Sequence, residues 1–489
     1  MKEKAKCSVL PWLLAFGMPV VVFLIAFLLL PLFGIPRSIL YQDPNVEVVD
    51  FLAYFKRLIL GSESFFYSFN LSTGAGMIAL ISFYLFSPFN LLAVFVPNTL
   101  LGYAFFAIIL LEIGAAGLSS YYYFRKEHEQ LGIYKPLIFA WGVALSAYML
   151  GYFEHFEWLD SIVILPLVCL GINKLVRGEA PWLYLVSLFI AIATCYYSGF
   201  MICIFSVIWF IYKSYIARIP KRNLLDSIKV FIVASALSGA MSMFLIVPTF
   251  FSMFEGTTDR FDSAAFAPTS KFPLKQLFLQ LTSNSGYYYP LIFAGIVVSV
   301  FAALYFINSR IAKREKVASA LVAFVLVMSM HIKALCTFWH VGSVERGAPF
   351  RFTFVVVFFL ATLAARCLES WDGIRQRRAV ALLTAFVVIY VLVLPSDPSS
   401  KQNILFYADS SLIVGITLLL ICTSERKAAL PLVLFQLSSL GVFTLGTLVM
   451  LGRWELAVSS FRTTSENIKN TEQIVSAIKA YDQSGEFYR

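Results

Sequence analysis

MIALISFYLFSPFNLLAVFVP, residues Met77–Pro97, is the stretch on which the threading of the whole chain depends. It is apolar and long enough to cross a hydrocarbon core of about 30 Å. Its middle, however, reads Ser87-Pro88-Phe89-Asn90, and proline removes a helical hydrogen bond and clashes with the preceding turn. If the stretch crossed fully, Arg125 and Lys126, at the end of the next apolar run Leu100–Phe124, would lie outside the cell. If it is interfacial or re-entrant and packed on protein, they lie in the cytoplasm. The excess of Lys and Arg in cytoplasmic loops of membrane proteins favours the second threading.

With that choice made, basic and neutral-to-acidic segments alternate along the chain. Cytoplasmic segments carry Lys2/Lys4/Lys6, Arg125/Lys126/Lys135, Lys174/Arg177, Lys213/Arg218/Lys221/Arg222, Arg310/Lys313/Arg314/Lys316, Arg375/Arg377/Arg378 and Arg426/Lys427. Outer segments fall at residues 34–75, 154–160, 197–199, 253–288, 336–350, 395–408 and 452–489. The spans between them are placed at 11–33, 100–124, 136–153, 161–173, 183–196, 200–216, 229–251, 289–308, 317–335, 351–368, 379–394, 410–423 and 429–451. The expectation is an all-α polytopic membrane protein of about thirteen transmembrane helices, with re-entrant or interfacial helices in the first outer loop, 34–99. Residues 1–451 form one membrane domain and 452–489 an extracytoplasmic tail, with the N-terminus cytoplasmic. The first run follows three lysines as a signal peptide does, but it is too long for one and lacks a small-residue cleavage site, so it reads as a retained span.

Composition agrees. Of 489 residues, 60% are hydrophobic and 13% charged, too little polar surface to cover a water-soluble body. The net charge of +10 is distributed over short loops rather than along one stripe, which argues against nucleic acid. The seven cysteines show no CxxC spacing and no matched outer pair, so neither a disulfide framework nor a zinc site is expected.

Ionisable residues inside spans are few, chiefly Glu112, His331 and Lys333, and this thins the case for an ion-coupled transporter. Two short spans, 161–173 and 183–196, have no counterpart elsewhere that would mark a transporter repeat. The first outer loop instead offers Asp43, Glu47 and Asp50, whose spacings of four, three and seven would share one face of a helix. Gathered carboxylates raise one another's pKa, and one so tuned can take a proton from a hydroxyl; the plain alternative is that water solvates all three. Glu154-His155-Phe156-Glu157-Trp158-Leu159-Asp160 is suited to holding a sugar by stacking and hydrogen bonding, or a divalent cation with help from other loops. It equally fits an interfacial belt around Trp158. Trp339-His340 with Glu345-Arg346 and Arg351 could receive a phosphate on forked donors, although an arginine at a span end often simply snorkels. Tyr196-Tyr197-Ser198-Gly199-Phe200 supplies hydroxyls at a break, as an aromatic belt would. All of these groups converge on one side of the membrane.

These strings resemble the YfhO-like bacterial membrane proteins, which are placed among GT-C-type glycosyltransferases. The resemblance rests on Asp43 through Phe51 with Phe65-Phe66-Tyr67-Ser68-Phe69 and Gly74-Ala75-Gly76, and on Ser82-Phe83-Tyr84-Leu85 with Ser87-Pro88-Phe89-Asn90-Leu91-Leu92. Trp158-Leu159-Asp160 with Leu165-Pro166-Leu167, Tyr196 through Met201, and Trp339-His340 with Arg351-Phe352 complete it. Pro44 and Glu47 stand where the family often has Gln-rich sequence, and members continue beyond the outer tail, so a shortened member or a fragment is expected. The resemblance implies transfer of a sugar from a polyprenyl-phosphate carrier to a cell-envelope polymer such as lipoteichoic acid, on the outer face of the bacterial cytoplasmic membrane. It implies Asp43 as base. Glu47, Asp50, His155, Asp160, Tyr197, His340 and Arg351 are then the expected substrate-binding residues, with Asp43 and Asp160 candidate ligands for magnesium or manganese. A flippase for a lipid-linked sugar and a non-catalytic envelope-assembly partner are the competing expectations.

Overall fold

The structure, a computed structural model, describes residues 9–40, 43–69, 74–255, 266–282, 289–342, 347–393, 411–416, 419, 425–454 and 461–481. The expectations placed on Lys2, Lys4, Lys6, Glu345, Arg346, segment 395–408 and most of span 410–423 lie outside the described residues. Helix is almost the only regular structure among the described residues; the paired strands are a two-residue hairpin, Tyr67–Ser68 against Ala75–Gly76. A lipid environment dictates this, since a helix satisfies its own backbone where no water can.

Among the described residues six helices are long and apolar enough to cross a membrane singly, against the thirteen expected: Leu10–Phe33, Asn98–Glu127, Phe156–Val176, Tyr196–Ala217, Asn223–Met241 and Ala428–Arg453. Several expected spans are instead broken. Residues 136–153 form two helices, Pro136–Ala144 and Ala147–Gly151, parted at Leu145-Ser146. Residues 229–251 divide at Ser242. The expected span 289–308 is helical only from Ile296. Its non-helical start is satisfied by protein: the Gln436 amide donates to the carbonyls of Ala294 (2.8 Å) and Ile138 (3.2 Å) and accepts from the Val297 N–H (3.2 Å). Ser439 takes the Ile296 N–H, and the Ala147 N–H donates to Phe293 at the facing break. Irregular backbone is tolerated at membrane depth only when it is paired in this way.

The deciding stretch is broken where Ser87-Pro88 requires. Ile78–Leu85 and Pro88–Phe95 meet at 97°. The Ser87 hydroxyl accepts the Phe89 N–H, capping the second piece, and Ser82 bonds Thr249 at 2.7 Å, tying the first piece to the Met243–Glu255 helix.

Lipid tails are as apolar as leucine, so helix association here relies on close packing and interhelical hydrogen bonds. Gly171 lets Phe156–Val176 press on the backbone of Tyr184, where a Cβ would come within 2.4 Å. Gly117 does the same against the Ala15 carbonyl. The buried Trp209 indole donates to Asn173 at 2.9 Å. Several of the basic segments meet at one end of the bundle. There Arg177 bridges Glu127 (2.9 Å), and Arg366 bridges Glu315 (3.0 Å) and Glu369 (3.2 Å).

Candidate functional site

At the opposite end the site is built on the first turn of the Phe156–Val176 helix. The expected outer loop 154–160 is mostly this turn, so the helix begins at Phe156 rather than at residue 161 and is a full 21 residues long. Acidic side chains are favourable at a helix N-terminus, where unpaired N–H groups and the macrodipole present positive charge. Glu157 and Asp160 accordingly turn inward and are buried. The Ser87 hydroxyl hydrogen-bonds Asp160, which anchors the bent segment to this helix. Asp160 Oδ2 and Glu157 Oε2 are buried without a hydrogen-bond partner among the described residues.

His155, just before the helix, stacks on Trp158 with ring centroids 4.1 Å apart. Its Nδ1 lies 3.7 Å from Glu157 and 3.8 Å from Asp43, and its Nε2 lies 3.8 Å from Glu154. Three carboxylates would ordinarily draw a proton onto the ring. Burial, and the Arg351 cation beside it, act more strongly in the other direction and push His155 down to about 3, so the imidazole is neutral and these contacts are not ion pairs. Arg351 lies over Trp158 at 4.5 Å and over Tyr197 at 5.3 Å, while its Nε donates to the Ala348 carbonyl. Two cation–π contacts and one backbone bond hold the guanidinium plane in place.

Residues from four separated stretches therefore meet: Asp43, the 154–160 segment, Tyr197 and Arg351. Asp43 remains half-exposed. Glu47 adjoins it, and burial first, then the Asp43 charge, raises its pKa. Asp50 does not join them. Pro44–Val48 is a turn of π-helix, whose wider step rotates the residues after it, so the single face read from the spacings is lost. Asp50 lines a groove with Arg57, Asn98 and Glu472, and burial raises its pKa while Arg57 opposes the rise. His340 is wholly buried beneath the site, its Nδ1 donating to the Cys336 carbonyl (2.7 Å) and its ring 6.1 Å from that of Tyr197. It supports Tyr197 rather than facing solvent.

Glu154, Glu157 and Trp158 belong to the site although they are absent from the residues expected of it; their segment was legible as a candidate, their individual roles were not. Tyr84 is a further addition, lying in the electrostatic reach of Asp43, Glu47 and Glu157. Glu112, fully buried with both carboxyl oxygens lacking hydrogen-bond partners among the described residues, lies behind the site in the field of Asp160 and Glu157. Among the described residues no group of three or more His, Cys, Asp or Glu is arranged to hold a metal ion. Asp43 faces His155 while Asp160 is buried against Ser87, so the two candidate ligands serve different partners.

Beside the site opens an apolar cavity of about 560 Å³ between the Trp182–Thr194, Tyr196–Ala217 and Lys221–Met241 helices. Tyr196, Tyr197 and Val341 border it at the site end, and Tyr184, Phe231 and Val207 line it toward the basic end. Tyr197 thus belongs to both the polar site and the apolar cavity.

Fold and site together define a multi-pass membrane protein with an acidic, aromatic-walled centre at one end of its bundle. The chain belongs to the family described as bacterial membrane protein YfhO, whose model matches residues 15–489. No curated protein and no solved structure matches it.

Proposed function

We propose that this chain is a GT-C-like glycosyltransferase that moves a sugar from a polyprenyl-phosphate carrier to an extracytoplasmic envelope acceptor such as lipoteichoic acid. The observation that carries the reading is the junction at Tyr197, where a long apolar cavity meets Arg351 and the carboxylates around His155. A lipid-linked sugar phosphate has this distribution of chemistry: an apolar chain, one anionic group, and hydroxyls. Asp43 takes the proton of the acceptor hydroxyl as its oxygen bonds to the sugar's anomeric carbon. The bond from that carbon to the phosphate oxygen breaks, and polyprenyl phosphate leaves with the electron pair, its charge met by Arg351. His155, neutral and partly exposed, offers the sugar a hydrogen bond, and the buried Trp158 ring holds His155 and Arg351 in place. No step is assigned to a metal ion.

In this reading Met77–Pro97 is re-entrant, the broken helices complete about thirteen membrane passages, the site faces outward, and the N- and C-termini are cytoplasmic and extracytoplasmic respectively. A flippase would need cations accessible along a path through both ends; at the basic end Arg177 and Arg366 are engaged by carboxylates instead. The test is sugar incorporation into envelope polymers in cells lacking the protein, complemented with wild type or Asp43→Asn at equal membrane levels. Loss of about 10² or more with the variant is expected. Equal rescue would discard Asp43 as the base.

A further inference from the structure

We propose that the cleft between the Tyr196–Ala217 and Lys313–His331 helices, at the basic end of the bundle, seats one anionic phospholipid of the surrounding bilayer. The cleft has a volume of about 260 Å³ and is lined by Ile208, Ile211, Tyr212, Tyr215, Leu321 and Val325 among others. From Ala318 to Val325 it runs about 10 Å along the helix, the direction an acyl chain takes. Its floor is fixed, because Ser319 bonds both Tyr212 (2.9 Å) and Tyr305 (2.8 Å) behind it.

The mouth of the cleft is cationic. The Arg314 guanidinium lies 4.0 Å over the Tyr215 ring, and its Nε is a buried donor with no hydrogen-bond partner among the described residues. Lys313 and Lys316 flank it in the first helical turn. The nearby acid, Glu315, is taken up by Arg366 at 3.0 Å and leaves Arg314 unneutralised. An apolar slot with a stacked, acceptor-less guanidinium at its mouth is complementary to an acyl chain beneath an anionic headgroup. A zwitterionic lipid would fill the slot but gain less from the three cations, because its own ammonium offsets its phosphate, and a free phosphate would gain nothing from the slot.

The full chain in detergent, incubated with phosphatidylglycerol or with phosphatidylcholine of the same acyl chains, is read by native mass spectrometry. Phosphatidylglycerol adducts are expected to exceed phosphatidylcholine adducts by about five-fold or more, since each cation near a lipid surface is worth about that factor. Combining Lys313→Ala and Arg314→Ala, which leaves only Lys316, should remove most of that excess, and Arg314→Lys should keep most of it. Leu321→Trp fills the slot without touching a charge and should lower the phosphatidylglycerol adduct, giving a second reading should the charge variants fail to fold. Inorganic phosphate at equal concentration should not displace the lipid. Equal retention of the two lipids by wild type, or undiminished phosphatidylglycerol on both the double variant and Leu321→Trp, would overturn the assignment.

Discussion

At the basic end of the bundle, carboxylates meet cations at bonding distance; at the other end, carboxylates surround a neutral imidazole. Arg366 reaches Glu315 and Glu369, His128 reaches Glu369 at 3.1 Å, and Arg177 reaches Glu127. Around His155 the nearest carboxylate approaches are 3.7–3.8 Å, and Arg351 lies over rings. Glu112, Glu157 and Asp160 keep buried oxygens without hydrogen-bond partners among the described residues. Leaving a buried polar atom unsatisfied costs about 1–3 kcal/mol, more for a charged one. A fold that gives its carboxylates cationic partners at one end and leaves carboxylate oxygens unpartnered at the other separates a clamp from a site.

Substituting the two arginines tests that contrast most severely. If the proposed transfer holds, Arg351→Ala should reduce it by about 10²-fold, because in that mechanism the guanidinium meets the leaving phosphate. It should cost only about 1 kcal/mol of stability, the worth of its ring contacts. Arg366→Ala should do the reverse. It strands Glu315 and leaves Glu369 to His128 alone, and the loss should be about 2 kcal/mol, below the full cost of breaking a buried pair because Arg366 is a third exposed. Thermal midpoints in detergent and transfer per folded molecule separate the two effects. If Arg351→Ala unfolds the protein while transfer per folded molecule holds, the site end is a clamp as well.

The sequence carried more of the first end than of the second. Alternating charge was enough to group the basic loops, and Ser87-Pro88 was enough to locate the 97° bend. Asp43, His155, Tyr197 and Arg351 were each legible as candidates, being polar or aromatic groups at the ends of apolar runs. What a linear reading could not supply was the phase. A π-helical turn at Pro44–Val48 sends Asp50 elsewhere, and nothing in the spacing of the acids announces it. Nor does a charged string such as Glu154–Asp160 look like the start of a buried helix, since charge ordinarily marks a loop. The four unpaired N–H groups of a helix start, which suit an acid there, become visible only once the boundary is known. The broken spans were hidden for a related reason: Gln436, more than 140 residues away, satisfies the irregular backbone at Ala294.

Proton affinity distinguishes the two ends next. His155 sits near 3 in the folded protein and near 6.5 when unfolded, so below about pH 6.5 the unfolded chain binds the extra proton and stability falls as pH falls. From pH 7 to pH 5 this amounts to about 2 kcal/mol, which His155→Gln should abolish. Glu47 tilts the other way, its raised pKa adding stability at low pH that is lost as pH rises through that value, and the His155→Gln comparison leaves it unchanged. Thermal midpoints of wild type and variant, measured across that range, should converge at pH 7 in slope and diverge at pH 5. Parallel curves would mean that the ring is already charged and that the three carboxylates pair with it after all.

The smallest effect is expected where the acids of the first loop separate. Asp43 and Asp50 are seven residues apart on what reads as one face, yet Asp43 stands against His155 and Asp50 against the groove beneath the Phe461–Tyr481 helix. That helix is held to the rest by Asn98, whose amide donates to Glu472 at 2.8 Å, and by the Ser465 hydroxyl on the Thr99 carbonyl. Because Asp50 lines this groove and not the centre around His155, Asp50→Asn should change sugar transfer by no more than about two-fold, the range of an ordinary surface substitution. Its effect should appear instead as faster amide exchange in 461–481, by a factor that Asn98→Ala reproduces. A loss of transfer as deep as that of Asp43→Asn would mean that the acceptor passes through this groove on its way to Asp43, and the boundary of the site would have to be redrawn around the 461–481 helix.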